Sequence, residues 1–115
     1  MKVSIVTACL NSEETIAKTL SSIEIQSYQN IEVIVVDGGS VDNTLNVVRS
    51  FGNLVDVLVT ESDSGIYDAL NKGCNLASGD IISILHSNDF FASQIVLDEV
   101  VKSFKKMEEM AILFS

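Results

Sequence analysis

The sequence predicts an α/β fold, a mainly parallel sheet flanked by helices, and three observations predict it. Short β-branched apolar runs recur along the chain, each is followed by a stretch whose apolar residues return at helical spacing, and small polar turn residues separate the two. A strand that is apolar at consecutive positions has both faces buried, which requires helices on either side of the sheet. Right-handed crossovers then bring the C-terminal ends of the strands to one edge, where polar loops gather and ligands bind.

The first strand is "VSIVTA", Val3 to Ala8. Asn11 is the candidate cap of the helix after it, with Glu14 three residues on, and Ile16, Leu20 and Ile23 form its inner face. The second strand, "IEVIVV" from Ile31 to Val36, ends in "DGGS", where Ser40 is placed to cap a helix that turns Leu45, Val48 and Phe51 inward and stops at Gly52. "VDVLVT", Val55 to Thr60, is the third strand. The polar loop "ESDSG" leads from it to a helix with Ile66, Ala69, Leu70, Gly73 and Ala77 on its apolar side, ended by Gly79. "IISIL", Ile81 to Leu85, is the fourth strand, and Leu97, Val100, Val101 and Phe104 mark one more helix. The final "AILFS" reads as the opening of a fifth strand with nothing after it to cover it, so the fold is expected to be truncated.

The 115 residues, 47% hydrophobic and 20% charged, suffice for one core and leave no room for a second domain. Seven Lys and Arg against sixteen Asp and Glu give a net charge of -9, which repels nucleic acid and anionic membrane surfaces, and no basic patch overrides it. An anionic ligand such as a nucleotide then needs a metal ion, or main-chain N–H groups at a helix start. Cys9 and Cys74 match no metal-ligand or CxxC spacing and read as two buried thiols of a reducing compartment, a disulfide between them being unsupported by the spacing though open. The N-terminal apolar run is too short for a membrane span and a poor signal peptide, so the chain is expected in the cytoplasm, with peripheral membrane association left to a longer protein.

Four loops meet at the expected ligand edge: "TACLN", "DGGS", "ESDSG" and "HSND". Asp37 is suited to accept hydrogen bonds from a base edge or ribose, or equally to satisfy its own turn. Asp42 reads as a favourable charge in a helix's first turn. Asp63 and Gly65 suit a turn, and Lys72 either meets a phosphate or pairs with Asp68 on the surface, the surface pair being the expectation. His86, the only histidine, is expected to bond nearby backbone. Tyr28, Tyr67, Phe90, Phe91 and Phe104 lack interleaved basic residues and read as core, not as a stacking platform for nucleic acid. Asp89 either caps its turn or holds a hard cation, which needs only one or two protein carboxylates when diphosphate and water fill the other positions.

In this order, "VSIVTACLN", "IEVIVVDGGSVDNTL", "ESDSGIYDALNKGCNLASGD" and "LHSNDFF" resemble the nucleotide-sugar-binding half of family 2 glycosyltransferases, over essentially all 115 residues. The resemblance implies the GT-A fold, a Rossmann-like sheet that binds a nucleoside diphosphate sugar through Mg²⁺ or Mn²⁺ held by a DxD-type motif. That motif's usual form is like "NSDD", so "HSND" keeps the last Asp and replaces the one before it. Carried over, Thr7 and Ala8 face the base and ribose, Asp37 binds the base edge (uracil in many members), and Asp63 lines the same pocket. Asn88 takes the ribose-contacting place and Asp89 is the metal ligand.

Leu10 stands where many relatives carry a Tyr, His86 replaces a polar Asn or Asp, and Asn88 replaces a carboxylate, which implies weaker metal binding. In the family the acceptor-binding half and the general base follow the DxD region, so the resemblance places no catalytic residue in this chain. The expected function is donor binding for an inverting transferase of polysaccharide biosynthesis, moving a sugar from a UDP-sugar to a saccharide or lipid-linked acceptor. A non-catalytic nucleotide- or partner-binding module is the alternative. A phospho-receiver domain needs an acidic pair after the first strand, where this chain reads "TACLN". An uncovered sheet edge would favour a homo-oligomer.

Overall fold

The first strand, β1 (Val3–Cys9), is buried along its whole length and forms the middle of the sheet. The structure is a computed structural model that describes residues 1–114, and side chains as far as Ala111. After β1 come α1 (Ile16–Glu24), β2 (Ile31–Asp37), α2 (Thr44–Ser50), β3 (Val57–Thr60), α3 (Ile66–Leu76), β4 (Ile81–Ile84) and α4 (Val96–Phe114). The four strands run in the order β3-β2-β1-β4, all parallel, with Val3 opposite Ile31 and Ile81, and Asp37 opposite both Cys9 and Thr60.

Alternation along β1 and β2 divides the core in two. Val3, Ile5, Val33 and Val35 face one side, where Ile16, Leu20 and Ile23 of α1, Val48 of α2 and Leu97 and Val101 of α4 cover them. Val6, Ala8, Ile34 and Val36 face the other side, under Ala69 and Leu70 of α3. Gly73 lets α3 lie directly on the sheet, since a Cβ there would overlap the Val6 side chain. The expected helices on both faces are therefore present. Each fully buried Val or Ile contributes about 1.5–3 kcal/mol of transfer free energy, so this double-sided core is the main source of stability.

The N-terminal edge of the sheet is closed by polar groups. Glu32 accepts hydrogen bonds from Ser4 Oγ at 2.8 Å, Ser78 N–H at 2.9 Å and Ser78 Oγ at 2.9 Å, with Lys2 Nζ at 3.5 Å. Gly79 donates its N–H to Ser4 Oγ, and a Cβ on it would lie 2.8 Å from Lys2 O and Ser4 N. Its role is this close approach. It does not end the preceding helix, which stops at Leu76.

Several other expectations change. "AILFS" is not a fifth strand: α4 continues through residues 111–114, and Ser115 lies outside the described residues. No Gly or Pro interrupts the chain after Leu97, so a helix once nucleated propagates through an apolar run that by composition alone suits a strand. Strand β3 begins two residues later than expected because Gly52–Leu54 form a 3₁₀ turn, entered through the left-handed φ of +58° at Gly52. Helix α1 begins at Ile16 and α2 at Thr44, so neither Asn11 nor Ser40 is a helix cap. Tyr67 is 82% exposed, and Phe90 and Phe104 are also largely outside the core, contrary to the reading of the aromatics as core. Among the described residues no helix is long and apolar enough to cross a membrane.

Candidate functional site

At the C-terminal edge of the sheet the β1–α1 and β2–α2 loops are laced together. Asn11 adopts a left-handed φ of +48°, donates its N–H to Ser40 Oγ at 2.8 Å and accepts the Val41 N–H at 2.9 Å. Asn tolerates this region better than other residues with a Cβ, which is why a residue that looks like a cap serves as a corner. Ser12 N–H donates to Thr44 Oγ1 at 2.7 Å, Glu13 N–H to Asp42 at 3.3 Å, and Asn43 N–H to Glu13 Oε2 at 3.1 Å. Asp42 thus lies ahead of α2, where it also accepts the Thr44 N–H at 3.0 Å, and these bonds, led by the Thr44 hydroxyl, hold its carboxyl below the usual range. Ser12 reaches a third loop as well, its hydroxyl 3.0 Å from Ser87 Oγ.

Asp37 anchors this lacing and has no exposed surface. One carboxylate oxygen accepts the N–H groups of Gly39 at 3.0 Å and Ser40 at 2.9 Å and the Thr60 hydroxyl at 2.9 Å; the other accepts the Ser40 hydroxyl and faces the Cys9 thiol at 3.6 Å. Burial pushes its carboxyl up, but the bonds from Ser40, Thr60 and Gly39 outweigh that and hold it below the ordinary value. A carboxylate has about four lone-pair positions, so these donors saturate it. Of the two roles open to Asp37 from sequence, the local one is filled by these donors. The same site pushes the Cys9 thiol up to about 12, by burial first and by the Asp37 charge second, and both cysteines are free.

Beside this knot a cleft of about 240 Å³ opens between the strand ends and the start of α3, lined by Ala8, Cys9, Leu10, Asp63, Ile66 and Ser87 among others. Its walls are mostly apolar, suited to a flat ring, with Asp63 as the charged group. Asp63 accepts the Gly65 N–H at 3.0 Å, and its carboxylate packs over Gly38. Next to it, Asp68 accepts the Ser64 N–H at 3.0 Å and pairs with Lys72 at 3.4 Å, while Lys72 also meets Glu61 at 2.9 Å. Lys72 is therefore engaged by two carboxylates.

Of the expected site residues, Ala8 and Asp63 line the cleft, and Asn88 and Asp89 are exposed on the loop that follows its Ser87 wall. Thr7 does not reach the cleft: it is fully buried in the sheet, and its hydroxyl has no hydrogen-bond partner among the described residues. Its neighbours Val6 and Ala8 face the α3 side, so alternation turns Thr7 to the opposite side. His86 accepts the Asp89 N–H through its carbonyl at 2.9 Å, which makes the loop a tight turn. Sequence reasoning gave Asn11 a cap's role and missed Ser12 and Thr44; what all three do depends on partners roughly thirty residues away.

Among the described residues no three His, Cys, Asp or Glu side chains converge on one point. The donor set suits a hard cation that takes most of its ligands from phosphate oxygens and water. It does not suit a closed, all-protein metal site.

Residues 4–114 match the family described as glycosyl transferase family 2. An uncharacterized glycosyltransferase of Mycobacterium tuberculosis is 35% identical over 102 residues, which are 88% of this chain and 39% of that protein. Residues 1–349 of Staphylococcus aureus TarS in complex with UDP-GlcNAc superpose with a TM-score of 0.85 at 25% identity, over 92% of this chain and 32% of that one. The mannosyltransferase PcManGT of Pyrobaculum calidifontis, in complex with GDP-Man and Mn²⁺, superposes with a TM-score of 0.80 at 29% identity, over 88% of this chain and 31% of that one. This chain thus spans 31–39% of the lengths of these proteins.

Proposed function

The chain belongs to glycosyl transferase family 2, and on that premise we propose that it is the donor-binding part of an inverting transferase that takes a sugar from a nucleoside diphosphate sugar, a UDP-sugar, to a saccharide or lipid-linked acceptor. The observation that carries this reading is an apolar-walled cleft at the C-terminal edge of a parallel sheet, lined by three of the four motif loops, with the fourth, "DGGS", packed through Gly38 against the Asp63 wall. The base enters between Leu10 and Ile66, with Ala8 as the floor and Asp63 at the polar end. Asp37 supports this site from below by fixing the Gly39–Ser40 turn, and Thr7 by filling the sheet beneath it. Asn88 offers an amide to the ribose.

Asp89 would hold Mg²⁺ or Mn²⁺, which supplies charge neutralisation to the departing diphosphate. The chain's net charge of -9 makes that requirement acute, because bare phosphates are repelled from this surface. In this reading neither carboxylate beside the cleft serves as general base toward an acceptor: Asp37 is engaged by its own turn, and Asp63, which accepts the Gly65 N–H, faces the base. The chain by itself therefore binds donor with little or no transfer.

Calorimetric titration of the chain with UDP, with and without Mn²⁺, tests the reading. It expects binding that Mn²⁺ strengthens and that Asp89→Ala weakens by roughly tenfold or more. Binding indifferent to both would leave a nucleotide- or partner-binding module without this metal chemistry, and no binding would remove the donor site altogether.

A further inference from the structure

Helix α1 buries a stripe of polar side chains beside its apolar one. Ile16, Leu20 and Ile23 enter the core, yet Thr19, Ser22 and, just beyond the helix end, Gln26 are only 0%, 7% and 3% exposed. Their spacing of three and four places them on one face. Buried polar groups persist where they are hydrogen-bonded, and these three find almost all their distant partners in one place, the main chain between β4 and α4. Thr19 shares its hydroxyl proton between Ser87 O at 3.0 Å and Asp89 O at 2.5 Å. Phe91 N–H donates to Ser22 Oγ at 3.0 Å. Gln26 donates from Nε2 to Ser93 O at 2.6 Å and accepts the Leu97 N–H at 3.1 Å. The rungs follow the chain in register, from the metal-motif turn to the first turn of α4.

This segment has no strand or helix of its own to occupy its main-chain groups. Asp89 is pinned on both sides, its N–H by His86 O at 2.9 Å and its carbonyl by Thr19, so that only its exposed carboxylate is left unconstrained by the fold. We infer that Thr19 is a positioning residue for Asp89, that Ser22 and Gln26 keep the rest of the loop in register, and that this buried ladder sets the chain's affinity for a divalent cation at the donor diphosphate. The inference rests on the reading of Asp89 as the metal ligand. A carboxylate on an untied loop has to be ordered when the cation binds, and that entropy is subtracted from affinity.

Titration of Mn²⁺ into the chain with UDP present, with free Mn²⁺ followed by its electron paramagnetic resonance signal, tests it on Thr19→Val, Thr19→Ser, Asp89→Ala and Ser4→Ala. Thr19→Val is isosteric and removes only the hydroxyl; it weakens Mn²⁺ binding roughly tenfold and speeds amide exchange at Asp89 and Phe91. Thr19→Ser, which keeps the hydroxyl, restores most of both. Ser4→Ala loosens the opposite edge of the sheet and leaves Mn²⁺ affinity unchanged, which separates positioning from general stability. Wild-type affinity in Thr19→Val, in a protein where Asp89→Ala abolishes binding, overturns the inference and leaves the donor site standing. Wild-type affinity in Asp89→Ala overturns the donor site and the inference with it. If Thr19→Val does not fold, Ser22→Ala carries the same test: faster exchange at Phe91 with unchanged Mn²⁺ affinity overturns the ladder's role.

Discussion

Asp63 rests its carboxylate against Gly38, so closely that a Cβ at position 38 would lie 2.9 Å from Asp63 Oδ2. The two residues belong to different loops of the candidate site, and the missing side chain of one makes the place of the other. The obstacle is the tip of a flexible side chain, so Gly38→Ala is expected to move Asp63 and leave the backbone where it is. Thermal unfolding should therefore report less than about 1 kcal/mol of change, while UDP affinity measured by calorimetry falls. A large loss of stability would show that the two loops cannot part.

Asn11 combines a left-handed backbone with two hydrogen bonds to the β2–α2 loop. Asn11→Gly keeps the backbone and loses the side-chain acceptor for Val41, whereas Asn11→Ala loses both. Urea unfolding should rank wild type above Asn11→Gly and Asn11→Gly above Asn11→Ala, with the last step near 1 kcal/mol. Equal stability of the two variants would mean that the left-handed corner carries no strain.

The hydrogen bonds from Ser78 N–H, the Ser4 hydroxyl and the Ser78 hydroxyl, with the Lys2 charge, lower the Glu32 carboxyl to about 2 from an ordinary 4.5. Because the folded value is the lower one, the stabilisation is present above the unfolded value and disappears as the pH falls from about 4.5 toward 2. Glu32→Gln should lower stability at pH 7, by less than the full shift implies because solvent screens the site. The gap to wild type, followed by denaturant titration, should close across that acid window; a gap unchanged at pH 2 would assign the loss to shape instead of charge.

Cys9 is buried against Asp37, with its thiol pushed up to about 12, and Cys74 is half-buried on α3. The thiolate is the reactive form, so a neutral-pH thiol reagent should leave Cys9 unmodified in the folded chain. Mass spectrometry after a timed pulse should find label at Cys74 first, and at Cys9 only once denaturant is added. Equal labelling of the two would show that the Asp37 knot opens readily.

Much of this architecture is legible residue by residue. Val3 to Ala8 and Ile31 to Val36 are mostly apolar at both alternate sets of positions, which only a two-sided burial satisfies, and both strands occur within a residue of where they are expected. Apolar spacing likewise places α3. Helix starts are less legible, because Asn11, Ser40 and Asp42 have the chemistry of caps wherever they stand, and what they bond depends on what the fold brings near. The last run, "AILFS", fits strand or helix by composition, and its neighbours in α4 settle residues 111–114 as helix.

The linear order of apolar runs and turn residues thus determined the parallel sheet, the helices on both faces and the edge to which the motif loops come. Each of those follows from local burial and chain direction, which short stretches of sequence carry. Only the tertiary structure decided that Asp37 is saturated by its own turn, that Thr7 lies beneath the cleft, and that Thr19, Ser22 and Gln26 hold the loop of Asp89. A polar side chain takes its role from the partner it meets. For the α1 ladder those partners lie about seventy residues away along the chain and within hydrogen-bonding distance in space.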